Sequence, residues 1–300
     1  MSHIVYQRKI DSNKIKLVNT PFCVIGESVA ARYTTIYISG LNIMFDCGHT
    51  ITEKNPSLVF ISHVHLDHVR GLTSLILDTT KKYCPLIFVP IASKELLKIF
   101  LTSAIDMTKH SDKVKPAKLN IIGVRFTGDA PYFLSFEHMI INKKEYKIEL
   151  FKCTHTIPTT GYGIIELRNK LCDEYVGLSQ KELEDIKKES INITKQIELP
   201  LFCFLGDTTH HVLFNGDKYN SHIEKYYNII IECTYLDDLD IDLSHINKHI
   251  HWQNIKKYIL DHPEINFILY HFSMKYDYEF IKTFFEKENI KNVNPLIHEF

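Results

Sequence analysis

The chain has 300 residues, 45% hydrophobic and 24% charged, an ordinary globular composition that excludes wholesale disorder, collagen-like repeats and a coiled coil. Formal net charge is −1, from 35 basic and 36 acidic side chains, so a polyanion has to be met by a local basic patch and not by the field of the whole molecule. No apolar run reaches bilayer-spanning length and the opening MSHIVYQRKI lacks the apolar stretch of a secretory signal; the expectation is an intracellular protein, cytoplasmic or nuclear and not secreted, with no membrane partner.

Along the chain, β-branched and aromatic runs predict strands over Thr34–Ser39, Leu41–Asp46, Leu58–Ser62, Leu86–Val89, Tyr146–Cys153, Gly161–Leu167, Pro200–Gly206, Ile229–Cys233 and Phe267–His271. Apolar spacing of the helical kind predicts helices over Val69–Asp78, Ser93–Leu101, Gln180–Glu189, His249–Asp261 and Tyr278–Lys287. No repeat, low-complexity tract or Gly/Pro/Ser-rich linker divides the chain, so residues 1–300 read as one α/β domain. Seven cysteines stand singly with no CxxC spacing, which reads as reduced thiols and not a disulfide framework.

Several predicted strands end in a polar residue: Asp46, His63, Asp207, Glu232 and His271. A sheet holds such residues at a common edge, where loops leave their side chains accessible. The densest of these exits is Ser62-His63-Val64-His65-Leu66-Asp67-His68, three imidazoles and a carboxylate of the borderline donor type suited to zinc and adaptable to manganese or iron. His63 and His65 can be aimed at one ion while Asp67 and His68 face a second position at the start of a helix. A dinuclear site needs further ligands, including an oxygen that bridges the ions. His155, Asp207 and His271 each follow a predicted strand and complete the set.

In that order these residues resemble the metal motifs of the metallo-β-lactamase fold, an αββα sandwich of two mixed sheets flanked by helices. Within it, Asn42-Ile-Met-Phe-Asp-Cys-Gly, Phe204-Leu-Gly-Asp-Thr, Ile231-Glu-Cys-Thr-Tyr-Leu-Asp, Lys248-His-Ile-His-Trp-Gln-Asn-Ile and Tyr270-His-Phe-Ser-Met-Lys-Tyr resemble ribonuclease Z, the endonuclease that removes the 3′ trailer of precursor tRNA. The stretch from Leu171 to Thr194 is similar to its short eukaryotic and plant-like forms. The resemblance implies two divalent ions, zinc or manganese, with His63, His65 and His155 on one, Asp67, His68 and His271 on the other, and Asp207 bridging. It implies His249 as the acid that protonates the leaving 3′ oxygen, oriented by Glu232, with Asp67 also in the catalytic set and His251 as a weaker alternative to His249. Ser273, Lys275 and Thr208 are implied as phosphate contacts. Precursor tRNA or another RNA is the implied partner, and a homodimer follows from the family habit alone.

Two departures accompany the resemblance. The segment Arg168 to Leu199 is short and mixed in charge, a reduced version of the long arm with which bacterial ribonuclease Z grips tRNA. Lys275 stands where the family carries an arginine, so a forked phosphate contact becomes a point charge. Basic residues that could meet phosphates are Lys109, Lys113, Lys115 and Lys118, then Lys143, Lys144 and Lys147. The metal ligands alone do not choose a substrate. A phosphodiesterase or β-lactamase on the same fold, and an RNA-binding relative without activity, stand as alternatives.

Overall fold

The structure is a computed structural model that describes residues 14–51, 55–77, 84–108, 119–127, 131–134, 139–189 and 191–298. Lys109, Lys113, Lys115 and Lys118 lie outside the described residues.

The first half of the chain builds a seven-stranded sheet in sequence order: Ile15–Lys16, Cys23–Val29, Tyr33–Ser39, Ile43–Phe45, Leu58–Phe60, Leu86–Pro90 and Asn120–Val124. The first four run antiparallel to their neighbours and the last four run parallel. The second half builds an eight-stranded sheet whose central strands are Lys144–Cys153, Thr159–Leu171, Thr194–Phe204, Asn228–Glu232 and Asn266–Tyr270. The last three of these pair in parallel.

Central strands covered on both faces read as near-continuous apolar runs, and alternate side chains sort into different layers. Phe45, Phe60, Phe88, Tyr162, Phe202, Phe204 and Tyr270 meet between the two sheets. Met44, Val59, Ile61, Ile87 and Val89 point the other way, against the helices Leu72–Leu77 and Lys94–Thr108. Cys203, Leu205, Ile229, Ile231 and Leu269 cover the outer face of the second sheet and pack under Trp252–Asp261 and Tyr278–Glu288. The result is helix, sheet, sheet, helix around three apolar layers, the predicted αββα sandwich.

Three predicted elements differ. The helix expected over Val69–Asp78 is two helices, Leu66–Val69 and Leu72–Leu77. A Cβ on the intervening Gly71 would lie 2.6 Å from backbone atoms of His49, so a loop pressed against the chain breaks the run. The helix expected from His249 starts at Trp252, with His251 as its N-cap accepting from the Gln253 N–H. The preceding helix Ile241–Asn247, which the sequence did not announce, ends on Lys248 in the left-handed region (φ 55°). The chain then runs extended to bridge Tyr235 to His251, burying Ile250.

The third difference is the segment Arg168 to Leu199. Its flanks continue the two long strands as one hairpin paired from Tyr162↔Phe204 out to Leu171↔Thr194. Beyond them sits the capped helix Gln180–Lys188, which has no buried residue. Pro200 falls at the register shift of this hairpin, a position where its missing N–H costs no ladder bond. Among the described residues no helix is long and apolar enough to cross a membrane.

Candidate metal centre

The exits of five strands converge on one edge of the sandwich. His63, His65, Asp67 and His68 follow Leu58–Phe60; His155 follows Lys144–Cys153; Asp207 follows Thr194–Phe204; Glu232 ends its strand; His271 follows Asn266–Tyr270. The two sheets are tied together here: the Thr160 N–H donates to the Ser62 carbonyl at 2.9 Å and the Tyr162 hydroxyl to the Ile61 carbonyl at 2.8 Å. Asp46 and His271 both leave their strands in the left-handed region, at φ 52° and 66°. Such backbone in a non-glycine residue is uncommon and gathers at functional sites.

Donor counting fixes the imidazoles. The Ser62 hydroxyl donates to Asp46 Oδ2 at 2.8 Å, so toward His63 Nδ1, 3.0 Å away, it can only accept. The Thr234 hydroxyl donates to Glu232 Oε2 at 2.6 Å and therefore accepts from His271 Nδ1 at 3.0 Å. His68 Nδ1 donates to Asp46 Oδ2 at 2.7 Å, and His155 Nδ1 to the Lys248 carbonyl at 3.2 Å. In all four residues Nδ1 is bonded outward and Nε2 is turned to the common centre, the arrangement that fixes tautomer and ring orientation in metal sites.

At that centre His65 Nδ1 lies 3.0 Å from His63 Nε2 and 3.3 Å from His155 Nε2. Nitrogens around a tetrahedral ion with bonds of about 2.0–2.1 Å stand roughly 3.4 Å apart, so three lone pairs already point at one spot. Asp67, His68 and His271 make the second trio, with His68 Nε2 and His271 Nε2 at 3.5 and 3.6 Å from Asp67 Oδ2. Asp207 Oδ2 touches both groups: it is 3.3 Å from His68 Nε2 and His271 Nε2, 3.7 Å from His63 Nε2 and 4.0 Å from His155 Nε2.

Buried polar atoms are ordinarily partnered. Here His68 Nε2, His271 Nε2 and Asp207 Oδ1 are buried with no hydrogen bond among the described residues, and the two nitrogens face the cluster. Orphaned donors and acceptors of this chemistry fit divalent cations. The electrostatics agree for the first trio and the two carboxylates, while Asp207 and Asp46 outweigh burial at His68 and raise it. Burial holds His63 well below the ordinary imidazole range and lowers His65 and His155, keeping them in the neutral, ligating form. Burial would raise Asp207 and Asp67, but neighbouring imidazoles outweigh it and hold both carboxyls ionised, well below the usual range.

Beside the ligands stands a second pair. His249 Nδ1 donates to Glu232 Oε1 at 2.8 Å. The ring is 4.9 Å from that of His155 and 5.2 Å from that of His271. Burial disfavours the charged imidazole, yet the Glu232 carboxylate overrides this and raises His249 to about 9. Glu232 is itself fully buried and accepts from the Thr208 and Ile250 N–H groups at 2.8 and 3.1 Å. His251 points elsewhere, its Nε2 donating to the Asp237 carbonyl at 2.9 Å, which removes it from the cleft.

The cleft over the ligands has a volume of ≈ 730 Å³ and is bounded by Ala30, Leu66, Tyr235, Asn247, Ser273 and Lys275 among others. One phosphate contact implied by the resemblance needs correction. Thr208 is fully buried, its hydroxyl donating to the Thr209 carbonyl and accepting from the Thr154 N–H; it shapes the loop behind Asp207 and cannot reach solvent. Lys275 lines the cleft but its ammonium is ion-paired with Asp240. Of the basic cluster among the described residues, Lys144 and Lys147 are paired with Glu166 and Glu198, and Lys143 stands exposed. Asp46 and Ser62, which orient His68 and His63, received no role from the sequence. The only signal was Asp46 at a strand end ahead of Cys47-Gly48.

No protein-family profile matches the chain. It is 30% identical over 258 residues to a tRNase Z of Arabidopsis thaliana, covering 84% of this chain and 85% of that one. It is 28% identical over 269 residues to the chloroplastic tRNase Z of the same plant, covering 87% and 70%. Among solved structures, a metallo-β-lactamase fold protein of Bacillus subtilis superposes with a TM-score of 0.54 at 13% identity, over 94% of this chain and 99% of that one. Human tRNase Z, short form, gives 0.52 at 16% identity, over 91% and 94%. The fold, the extent of the match and the level of identity agree, and the chain belongs to the tRNase Z (ribonuclease Z) family on the metallo-β-lactamase fold.

Proposed function

We propose that the protein is a zinc-dependent endoribonuclease that removes the 3′ trailer of precursor tRNA. The observation that carries this beyond a generic hydrolase is the His249–Glu232 pair, bonded at 2.8 Å beside the ligand cluster. An activated ester, whose leaving group departs as a stable anion, has no use for such a proton donor. A ribose 3′ oxygen does, because its anion is a poor leaving group.

His63, His65 and His155 would hold one ion, Asp67, His68 and His271 the other, and Asp207 both. Bound there, divalent ions supply charge to the phosphodiester oxygens and an ionised water at neutral pH. The protein's own part is positional. The Nδ1 bonds of the four histidines fix the rings, Glu232 holds His249 with Nε2 toward the cleft, and His249 delivers its proton to O3′ as the P–O3′ bond breaks. Water adds to phosphorus, leaving a 3′ hydroxyl on the tRNA and a 5′ phosphate on the trailer. Ser273 lines the cleft and is placed to hold a phosphate oxygen. The working state is a single domain in an intracellular compartment, with two copies associating as a dimer.

Incubation of purified protein with a precursor tRNA bearing a 3′ trailer, against a panel of nucleotide phosphodiesters and a β-lactam, tests this reading. Release of trailer with a 3′ hydroxyl on the tRNA is the expected result. Intact precursor at high enzyme concentration, with turnover of a small phosphodiester or the β-lactam, would overturn it.

A further inference from the structure

On the outer face of the second sheet, away from the metal cleft, a cavity of ≈ 310 Å³ opens between the strand Lys144–Cys153 and the loop that follows Asp207. Its floor is Glu149, 1% exposed. One carboxylate oxygen is fully engaged: Oε2 accepts from the Tyr226 hydroxyl at 2.6 Å and faces the Lys225 ammonium at 2.7 Å. The other, Oε1, is buried and receives no hydrogen bond among the described residues, with His222 Nδ1 at 3.5 Å. A buried carboxylate oxygen without a donor is costly, and this one borders a space large enough for a small ligand.

The rest of the lining says what chemistry fits. Tyr132 and Phe214 offer aromatic faces, and Lys152 and His211 stand exposed at the rim. Lys152 donates one hydrogen bond, to the Tyr132 hydroxyl at 2.8 Å, and an ammonium has two more to give. An acceptor at the floor, flat walls and cations at the mouth describe a nucleotide, with a base that donates inward, stacks on aromatic rings and leaves its phosphate at the rim.

We propose that this cavity is a nucleotide subsite that selects bases carrying an exocyclic amino group. With a single free oxygen, Glu149 takes one N–H, as from cytosine N4 or adenine N6, whereas uracil offers a carbonyl at that edge. Lys152 precedes His155 on the same strand exit and His211 follows Asp207 in the same loop. A base held here lies next to the segments that carry the metal ligands. The subsite is therefore suited to an unpaired nucleotide of the RNA in the proposed function, on which this assignment of the occupant rests. A free nucleotide presents the same chemistry.

The test reads binding and not turnover, so its failure leaves the hydrolytic reading standing and failed hydrolysis leaves this one. Full-length protein is titrated with cytidine and uridine 5′-monophosphates and with short oligocytidine and oligouridine. A hydrogen bond to a charged acceptor gives a preference for cytosine of about tenfold or more. In Glu149→Gln the amide oxygen stays toward Lys225 and Tyr226 and the –NH₂ takes the place of Oε1, so the preference should invert toward uracil. Lys152→Ala, a surface change, should weaken both monophosphates by a similar factor and guards against a Gln variant that fails to fold. Discrimination in the oligomers assigns the site to an RNA chain, and discrimination confined to the monophosphates assigns it to a free nucleotide. Equal affinity for cytosine and uracil in both formats, or a preference unchanged in Glu149→Gln, would overturn the proposal.

Discussion

Replacing His249 by alanine separates proton delivery from everything else the cleft does. The imidazole is held through Nδ1 by Glu232 Oε1 at 2.8 Å, which turns it from the two trios His63, His65, His155 and Asp67, His68, His271, although it lies within reach of His155 and Asp207. Its loss should leave metal content and RNA affinity intact. Protonation of a leaving oxygen by a positioned acid contributes about 10² to 10⁴ in rate, or roughly 3 to 5 kcal/mol of transition-state stabilisation. The upper part of that range applies here, because a ribose alkoxide leaves poorly and His251, the nearest alternative in sequence, is turned away to the Asp237 carbonyl. The assay is kcat on precursor tRNA beside kcat on bis(p-nitrophenyl) phosphate, whose leaving group needs no proton, with metal content measured on the same preparations. The loss should be large on RNA and within about threefold on the aryl ester. Equal losses on both would refute the assignment and make His249 a residue that orients the metal site.

Elemental analysis should find two divalent equivalents per chain. His65→Ala should release the ion of the His63 and His155 group while retaining the other, and Asp207→Ala should release both; less than one equivalent in the wild type, after purification in supplemented buffer, would dismiss the dinuclear site. Glu232→Gln removes the negative charge that raises His249 to about 9; burial then favours the neutral ring, so the alkaline limb of kcat on RNA should move to lower pH, and an unmoved limb would mean another group titrates. Thr234→Val strands the buried His271 Nδ1, while Glu232 Oε2 keeps the Ile250 N–H, at a cost of about 1 to 3 kcal/mol in urea unfolding, with Thr234→Ser close to wild type. Gly48→Ala would put a Cβ 1.9 Å from the Asp67 carbonyl oxygen; displacement of that helix should lower metal occupancy more than it lowers the unfolding midpoint, and normal occupancy would mean the loop yields.

The strand exits were legible because two signals coincide there. A run such as Leu201-Phe-Cys-Phe-Leu has no polar face and must be a central strand, and the polar residue that follows has to emerge at the sheet edge. Joined to HxHxDH, this placed all seven candidate ligands on one side of a sandwich. What stayed hidden depends on segments far apart in sequence. The break at Gly71 comes from the chain at His49, and the displaced helix start from the bridge between Tyr235 and His251. The pairing of Lys275 with Asp240 likewise spans distant loops. Thr208 was implied as a phosphate contact by the resemblance, and only the close approach of Thr154 shows it to be internal. Asp46 was visible as a strand end, but its bond to His68 is a tertiary fact.

That bond connects the site's geometry to its chemistry. His68 lies between Asp46, 2.7 Å from Nδ1, and Asp207, 3.3 Å from Nε2. Burial opposes charge on the ring, yet the two carboxylates override it and hold the imidazole well above its ordinary range. A proton and a cation therefore compete for Nε2 of His68, while His63, His65 and His155 are pushed toward the neutral form by burial. The first trio can accept an ion without releasing protons, whereas the second can do so only by displacing one. Ion binding to the second trio should therefore fall off more steeply with acid than binding to the first, a difference that metal titrations across pH would read. The difference originates in the two carboxylates that flank His68, Asp207 and Asp46.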